Sequence, residues 1–378
     1  MREYVFVLLV AMAATYLAVP AAYRLALRVN AFTAVRDRDV HTVPIPRLGG
    51  LAILVGYAAA TLVATRLPFL HQVFATPKLW GVLLGGAVVC VIGAIDDVVE
   101  LDPLTKLAGQ IVAAGIMAFS GIQLFSVPFL GVTTVLPAPV LAILTILTVV
   151  VSTNAVNFID GLDGLASGLV AIAAATFLAY SYWISGQFDP PNVFTSSTFI
   201  SAALLGCCLG FLPHNFYPAR LFMGDSGALL LGLLLAAALI STTGAVSPAQ
   251  VSSNPVAASL LPLVVPAAIL LLPLLDVVLA VIRRTRQGRH PWTPDAQHLH
   301  HRMLRIGHGH RRAVLLLWLW AATAAVGSIA FVFIDPIPAA AGLAGALVLA
   351  TLLTRFLPKI SVPGHRPGPL PDRTSAGP

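Results

Sequence analysis

Residues 137–164 read PAPVLAILTILTVVVSTNAVNFIDGLDG, an apolar run that ends abruptly in asparagines and aspartates. The apolar part, 137 to 155, is about the 20 residues that a helix needs to cross a bilayer's hydrocarbon core. Asn157, Asp160 and Asp163 follow at a spacing of three, which places them along one side of a helical continuation. No Lys or Arg lies between Asn154 and Leu165, so these polar groups lack a local counter-charge. A divalent cation or the donors of a ligand would supply one. The plainer reading is helix capping plus a turn, with Gly161, Gly164 and Gly168 permitting close approach.

The same pattern recurs along the chain. Of its 378 residues 58% are hydrophobic and only 10% charged, which excludes a set of soluble domains. Apolar runs of spanning length fall at 4–22, 48–66, 79–95, 107–122, 137–155, 165–184, 198–212, 227–243, 256–282, 313–334 and 337–357. The expected fold is all-α, a polytopic membrane protein with about 11 transmembrane helices. Residues 1–357 form one membrane domain, and the Pro- and Gly-rich tail 358–378 is expected to be disordered. The first run has features of a signal peptide, but the basic loop after it fits a retained span better. Cys90, Cys207 and Cys208 lie within runs and imply no disulfides.

Orientation follows from the cations. Of the 22 Lys and Arg, 19 lie after odd-numbered runs or at the C-terminal end, whereas Arg2, Arg66 and Lys78 lie on the other side. Basic residues collect in the cytoplasm, so the N-terminus is outside, the C-terminus is cytoplasmic, and the polar motifs face the cytoplasm. The formal charge of +7 suits anionic lipid head groups and an anionic substrate equally.

Three further motifs carry chemistry. Asp96-Asp97 ends one run and precedes Glu100, Asp102 and Lys106. Adjacent carboxylates need water, a metal or a cation nearby, although a solvated helix end is the plainer account. Asp225, in Phe222-Met-Gly-Asp-Ser-Gly227, opens a long apolar helix either as its cap or as a holder of Mg²⁺ beside free amides that favour phosphate. His214-Asn215 lies ten residues upstream. The segment from Arg283 to Arg312 contains eight Arg and six His, among them His298, His300 and His301. Phosphate recognition explains that mixture better than zinc, because arginines beside the histidines oppose a cation. Asp276, inside a run, is assigned a structural role.

In this order the motifs resemble the polyprenyl-phosphate N-acetylhexosamine-1-phosphate transferases. The matching pieces are His41-Thr-Val-Pro-Ile-Pro-Arg47-Leu-Gly-Gly50, Gly93-Ala-Ile-Asp-Asp97, Leu104-Thr-Lys106-Leu, Asn154 to Gly164, Pro218-Ala-Arg-Leu-Phe-Met-Gly-Asp225-Ser-Gly and His298-Leu-His-His-Arg302. The muramoyl-pentapeptide branch usually carries three consecutive histidines, so His-Leu-His-His resembles the N-acetylglucosamine branch.

The resemblance implies attack by a lipid phosphate on the β-phosphorus of a UDP-sugar, releasing UMP, with Mg²⁺ or alternatively Mn²⁺. It implies Asn157 and Asp225 as metal ligands and Asp96 as the base toward the lipid phosphate. Asp97, Asp160 and Asp163 would line the site with His300 and His301, while His41, Arg47, Lys106, Asn215, His298 and Arg302 bind substrate. The implied partners are the membrane, a UDP-sugar and a polyprenyl phosphate, without nucleic acid and with room for a homodimer. Direct displacement and a covalent aspartyl-phosphate route both fit these residues. Two rivals remain at this stage, an aspartate-rich intramembrane prenyltransferase and a transporter. The first leaves the Arg and His segment unexplained, and the second places its ionisable groups near the bilayer midplane.

Overall fold

The computed structural model describes residues 1–32, 44–124, 127–129, 132–134, 136–186, 195–245, 285–286 and 308–356. Among these residues the helices are α1 (Arg2–Arg28), α2 (Gly49–Ala64), α3 (Lys78–Val99), α4 (Pro103–Phe119), α5 (Ala138–Ile159), α6 (Leu165–Ser185), α7 (Ser196–Asn215), α8 (Gly224–Ala245), α9 (His310–Phe333) and α10 (Pro336–Phe356). A short antiparallel ribbon joins α4 to α5, with β1 (Val127–Phe129) paired to β2 (Val132–Thr134). The helical class therefore holds, with one small hairpin added to it.

Eight of these helices are long and apolar enough to cross a membrane, which makes this a multi-span membrane protein. The expected count of eleven is not reached among the described residues. The runs at 48–66 and 107–122 become α2 and α4, of 16 and 17 residues. At 1.5 Å per residue they reach about 25 Å, short of a hydrocarbon core of about 30 Å. Local chemistry sets their ends. Leu48 is left-handed (φ 80°) before α2, and Asp102 caps α4 by accepting the N–H groups of Leu104 and Thr105, with Pro103 in the first turn. The run at 256–282, with Asp276, and the tail from 358 lie outside the described residues.

α8 is the axis of the bundle. Burial within the protein takes in 78% of its apolar window and 72% of those of α6 and α7, against 11% for α10, which places α10 at the rim. Leu229, Leu230, Leu231, Leu233 and Leu234 are all inaccessible, as befits a helix apolar on every side. α2, α3, α5, α6 and α7 pack around it. α1 lies along α2 and α7 with Tyr4, Val7, Ala11 and Val19 facing inward.

Short connections reverse the chain from helix to helix. The C-terminal ends of α3, α5 and α7 therefore meet the N-terminal ends of α4, α6, α8 and α9 at one face. The segment before α2 is fastened to the segment before α8 at that face. Phe222 N–H donates to Pro46 O, Gly49 N–H to Phe222 O and Gly50 N–H to Met223 O, at 2.9–3.1 Å. A Cβ on Gly50 would come within 2.2 Å of the Gly227 nitrogen, so only glycine allows this approach. Gly50→Ala should lower the apparent melting temperature of the detergent-solubilised protein by roughly 3 °C or more. Gly115→Ala, where a Cβ meets nothing within 4 Å, should leave it unchanged; equal melting of the two variants would refute the close-packing account.

Candidate active site

Asp97 is the buried anchor of the site, its side chain fully inaccessible at the end of α3. Its Oδ1 accepts the N–H of Asp225 at 2.9 Å and its Oδ2 that of Ser226 at 3.2 Å. The start of α8 is thus capped by a carboxylate from another helix, where unpaired amides and the helix dipole favour an anion. Gly224 makes the contact sterically feasible. Its φ is +65°, and a Cβ there would lie 2.3 Å from Asp97 Oδ2. Arg47 stands 3.8 Å from Asp97 Oδ1 and partly offsets its charge.

Asp225, once its backbone is held, projects its carboxylate toward α4 and α5. Asn157 Nδ2 donates to Asp225 Oδ1 at 3.0 Å, and the Lys106 ammonium contacts Oδ2. Lys106 also donates to Asp96 Oδ2 at 3.1 Å, while Asp96 Oδ1 accepts the Leu101 N–H at 2.8 Å. One lysine therefore bridges two half-buried carboxylates from α3 and α8. Beside them a cleft of about 360 Å³ is lined by Arg47, Asp96, Leu101, Lys106, Gln110 and Asn154, among others.

Asp160 lies just past α5. Burial pushes its carboxyl up to about 7, and the charges of Asp97 and Asp163 add to the shift while Arg47 opposes it. Among the described residues no three His, Cys, Asp or Glu side chains converge into a closed metal cage. Carboxylate oxygen from Asp225 and amide oxygen from a reoriented Asn157 nevertheless suit a hard cation. Mg²⁺ commonly takes one or two carboxylates and completes its shell with water and phosphate.

The sequence profile described as Glycosyl transferase family 4 matches residues 79–243, which carry all of these groups except Arg47. A decaprenyl-phosphate N-acetylglucosaminephosphotransferase of Mycolicibacterium smegmatis is 43% identical over 94% of this chain and 88% of its own length. The chain belongs to this family. A phospho-N-acetylmuramoyl-pentapeptide-transferase of Desulforudis audaxviator is 30% identical over 74% of this chain and 82% of its own. An undecaprenyl-phosphate alpha-N-acetylglucosaminyl 1-phosphate transferase of Salmonella typhimurium is 27% identical over 80% and 76%.

With the family known, two readings of the motifs need correction. Asn157, Asp160 and Asp163 do not share one helical face, because α5 ends at Ile159 and Gly164 turns the chain at φ +77°. Asp225 does not cap α8 with its own side chain; Asp97 does. Asp163 is 2% exposed and looks away from Asp225 toward the α7–α8 connection, where its Oδ2 accepts the Ala219 N–H at 2.9 Å. Its backbone N–H donates to His310 Nε2 at 3.1 Å. Asn215 is equally buried and holds the same connection. Its Oδ1 accepts Gly164 N–H and Ser167 Oγ–H, and its Nδ2 donates to Leu221 O. His41, His298, His300, His301 and Arg302 lie outside the described residues.

Gln110 escaped the sequence reading; it lies one helical turn after Lys106, and that spacing alone pointed to it. By sequence His310 is only one of the six histidines of the basic segment, and in the structure it accepts the Asp163 N–H. Asp97→Ala should orphan two helix amides and cost about 1–3 kcal/mol of stability. Asp96→Ala should cost less, since Lys106 keeps Asp225 and the Leu101 amide is near water. Thermal unfolding of both variants checks this order, and the reverse order would contradict the capping role.

Proposed function

We infer that this protein transfers N-acetylglucosamine-1-phosphate from UDP-N-acetylglucosamine to a polyprenyl phosphate, forming polyprenyl-diphosphate-N-acetylglucosamine and UMP. One observation carries the reading: 43% identity over 94% of the chain to a protein named for that activity, with Asp225, Asn157, Lys106 and Asp96 linked side chain to side chain beside a cleft. A lipid phosphate oxygen attacks the β-phosphorus of the UDP-sugar, a new P–O bond forms, and the bond to the bridging oxygen breaks so that UMP leaves with the electron pair. The work of the chain is positioning and charge compensation.

Asp225 and Asn157 are the residues that would hold Mg²⁺, which offsets charge on the diphosphate when bound. Lys106 is a mobile cation held between two acids and within reach of an incoming phosphate. Asp96 has both oxygens engaged and orients Lys106. A phosphate monoester has its second pKa near about 6, so little deprotonation is required of a base. His298, His300, His301 and Arg302 follow in the basic segment as phosphate contacts, and the active face is cytoplasmic, where the Lys and Arg bias places it.

Asp225→Asn should reduce UMP release at least about 100-fold and raise the Mg²⁺ concentration needed for half-maximal rate. Unchanged turnover at ordinary Mg²⁺ would remove Asp225 from the chemistry. UDP-N-acetylglucosamine should be used far faster than UDP-N-acetylmuramoyl-pentapeptide, and equal rates would sink the sugar assignment while leaving the family intact. A cysteine at exposed Asp102 should resist membrane-impermeant reagent on intact cells, whereas one at exposed His71, at the opposite end, should react. The opposite result would invert the orientation.

A further inference from the structure

Gln110 is 2% exposed, points from α4 toward α5, and lines the cleft beside Lys106. Neighbouring chemistry fixes the orientation of its amide. Asn154 Nδ2 lies 2.8 Å from the Val150 carbonyl oxygen, which only accepts, so the nitrogen end of Asn154 is certain. That same nitrogen lies 2.7 Å from Gln110, which must therefore present its oxygen, and Thr153 Oγ1 stands 3.3 Å from that oxygen as well. The Nε2–H₂ of Gln110 is left without a partner among the described residues, as the free polar end of a side chain in the cleft wall. That donor opens into the cleft, where a ligand acceptor or water completes its bonding.

The surroundings select the ligand. Lys106 and Gln110 are four residues apart, so both present donors from one face of α4. The Lys106 charge is already shared between Asp96 and Asp225, which leaves Gln110 as the uncommitted donor. Leu101, Pro103 and Leu107 form the apolar part of the wall. Beyond them Leu104, Ile111 and Val151 are exposed on α4 and α5, on a surface that faces lipid in a membrane. A ligand that reaches this donor from the bilayer is amphiphilic, with an acceptor-rich head and an apolar chain.

We propose that Gln110 binds the phosphate of the membrane-borne acceptor through Nε2–H₂, with Asn154 holding its amide in that orientation. This rests on the reading that the acceptor is a polyprenyl phosphate. An uncharged donor one turn below Lys106 would guide the phosphate toward the lysine without adding a cation to a region already holding Arg47 and Lys106. The contribution belongs to acceptor binding and not to the sugar nucleotide.

The test is steady-state kinetics of purified protein in detergent, with undecaprenyl phosphate and UDP-N-acetylglucosamine varied separately. Gln110→Met, which removes the donor at similar volume, should raise the apparent KM for the lipid about tenfold and leave that for the nucleotide sugar unchanged. Gln110→Glu keeps the oxygen that accepts from Asn154, and with it the fold, but turns a carboxylate oxygen toward the phosphate. Its lipid KM should rise further than that of the Met variant. A rise in the nucleotide-sugar KM instead, or no change in either, overturns the assignment. Absence of turnover by the unsubstituted protein with a polyprenyl phosphate would instead strike the functional reading on which it rests.

Discussion

The carboxylate of Asp97 at the start of α8 is the interaction on which the rest of the site depends. A buried carboxylate is costly in a low-dielectric interior unless its oxygens are hydrogen-bonded, and here two backbone amides at a helix terminus meet that need. In return the most buried helix of the bundle has its first turn fixed in depth and rotation. Asp225 belongs to that turn, so the direction of its side chain is set by a residue 128 positions earlier in the chain. Gly224 and Gly50 allow this because the backbones of three segments converge where no side chain fits.

From that fixed point the other groups are arranged by helix ends. α5 delivers Asn157 on its last turn, α4 delivers Lys106 on its first, and α3 delivers Asp96 beside the capping residue. Helix termini at a membrane face suit anionic substrates, since polar groups there escape the hydrocarbon while remaining partly dry. Lys106 between Asp96 and Asp225 is a preformed ion-pair network at this meeting of helix ends. Burial raises the Asp160 carboxyl, and the charges of Asp97 and Asp163 add to it.

Around this core a second ring of contacts is purely positional. Asp163, Asn215 and His310 tie the end of α5, the start of α6 and the α7–α8 connection into one body. Tyr217 stacks on His310 at 4.5 Å, and its carbonyl accepts from Arg311 Nε, so the first turn of α9 braces the loop that leads to Asp225. His310 and Arg311, at the described end of the Arg- and His-rich stretch, are the residues that make this contact. Residues that look catalytic by type are thus divided between chemistry and support.

The sequence by itself determined the membrane character, the helical class, the placing of the acids at helix ends and the motifs that carry the family resemblance. Each depends on composition or local order: apolar length and residue type at helix ends. Span count was less legible, because hydropathy marks an apolar run and does not register where Leu48 or Asp102 starts the helix, which leaves α2 and α4 at 16 and 17 residues. Only the tertiary structure decided which acids face which partners. Asp96 and Asp97 are identical neighbours in sequence, yet one orients a lysine at the cleft and the other is buried as a cap. Asn157 and Asp163 would share a face only on a continuous helix; α5 ends at Ile159, and Asp163 meets Ala219 instead. Gln110 carried no charge to attract notice, and its free donor emerges only from the α5 carbonyl that fixes Asn154. Such assignments depend on contacts between residues distant in the chain, and residue type and spacing along one segment do not encode them.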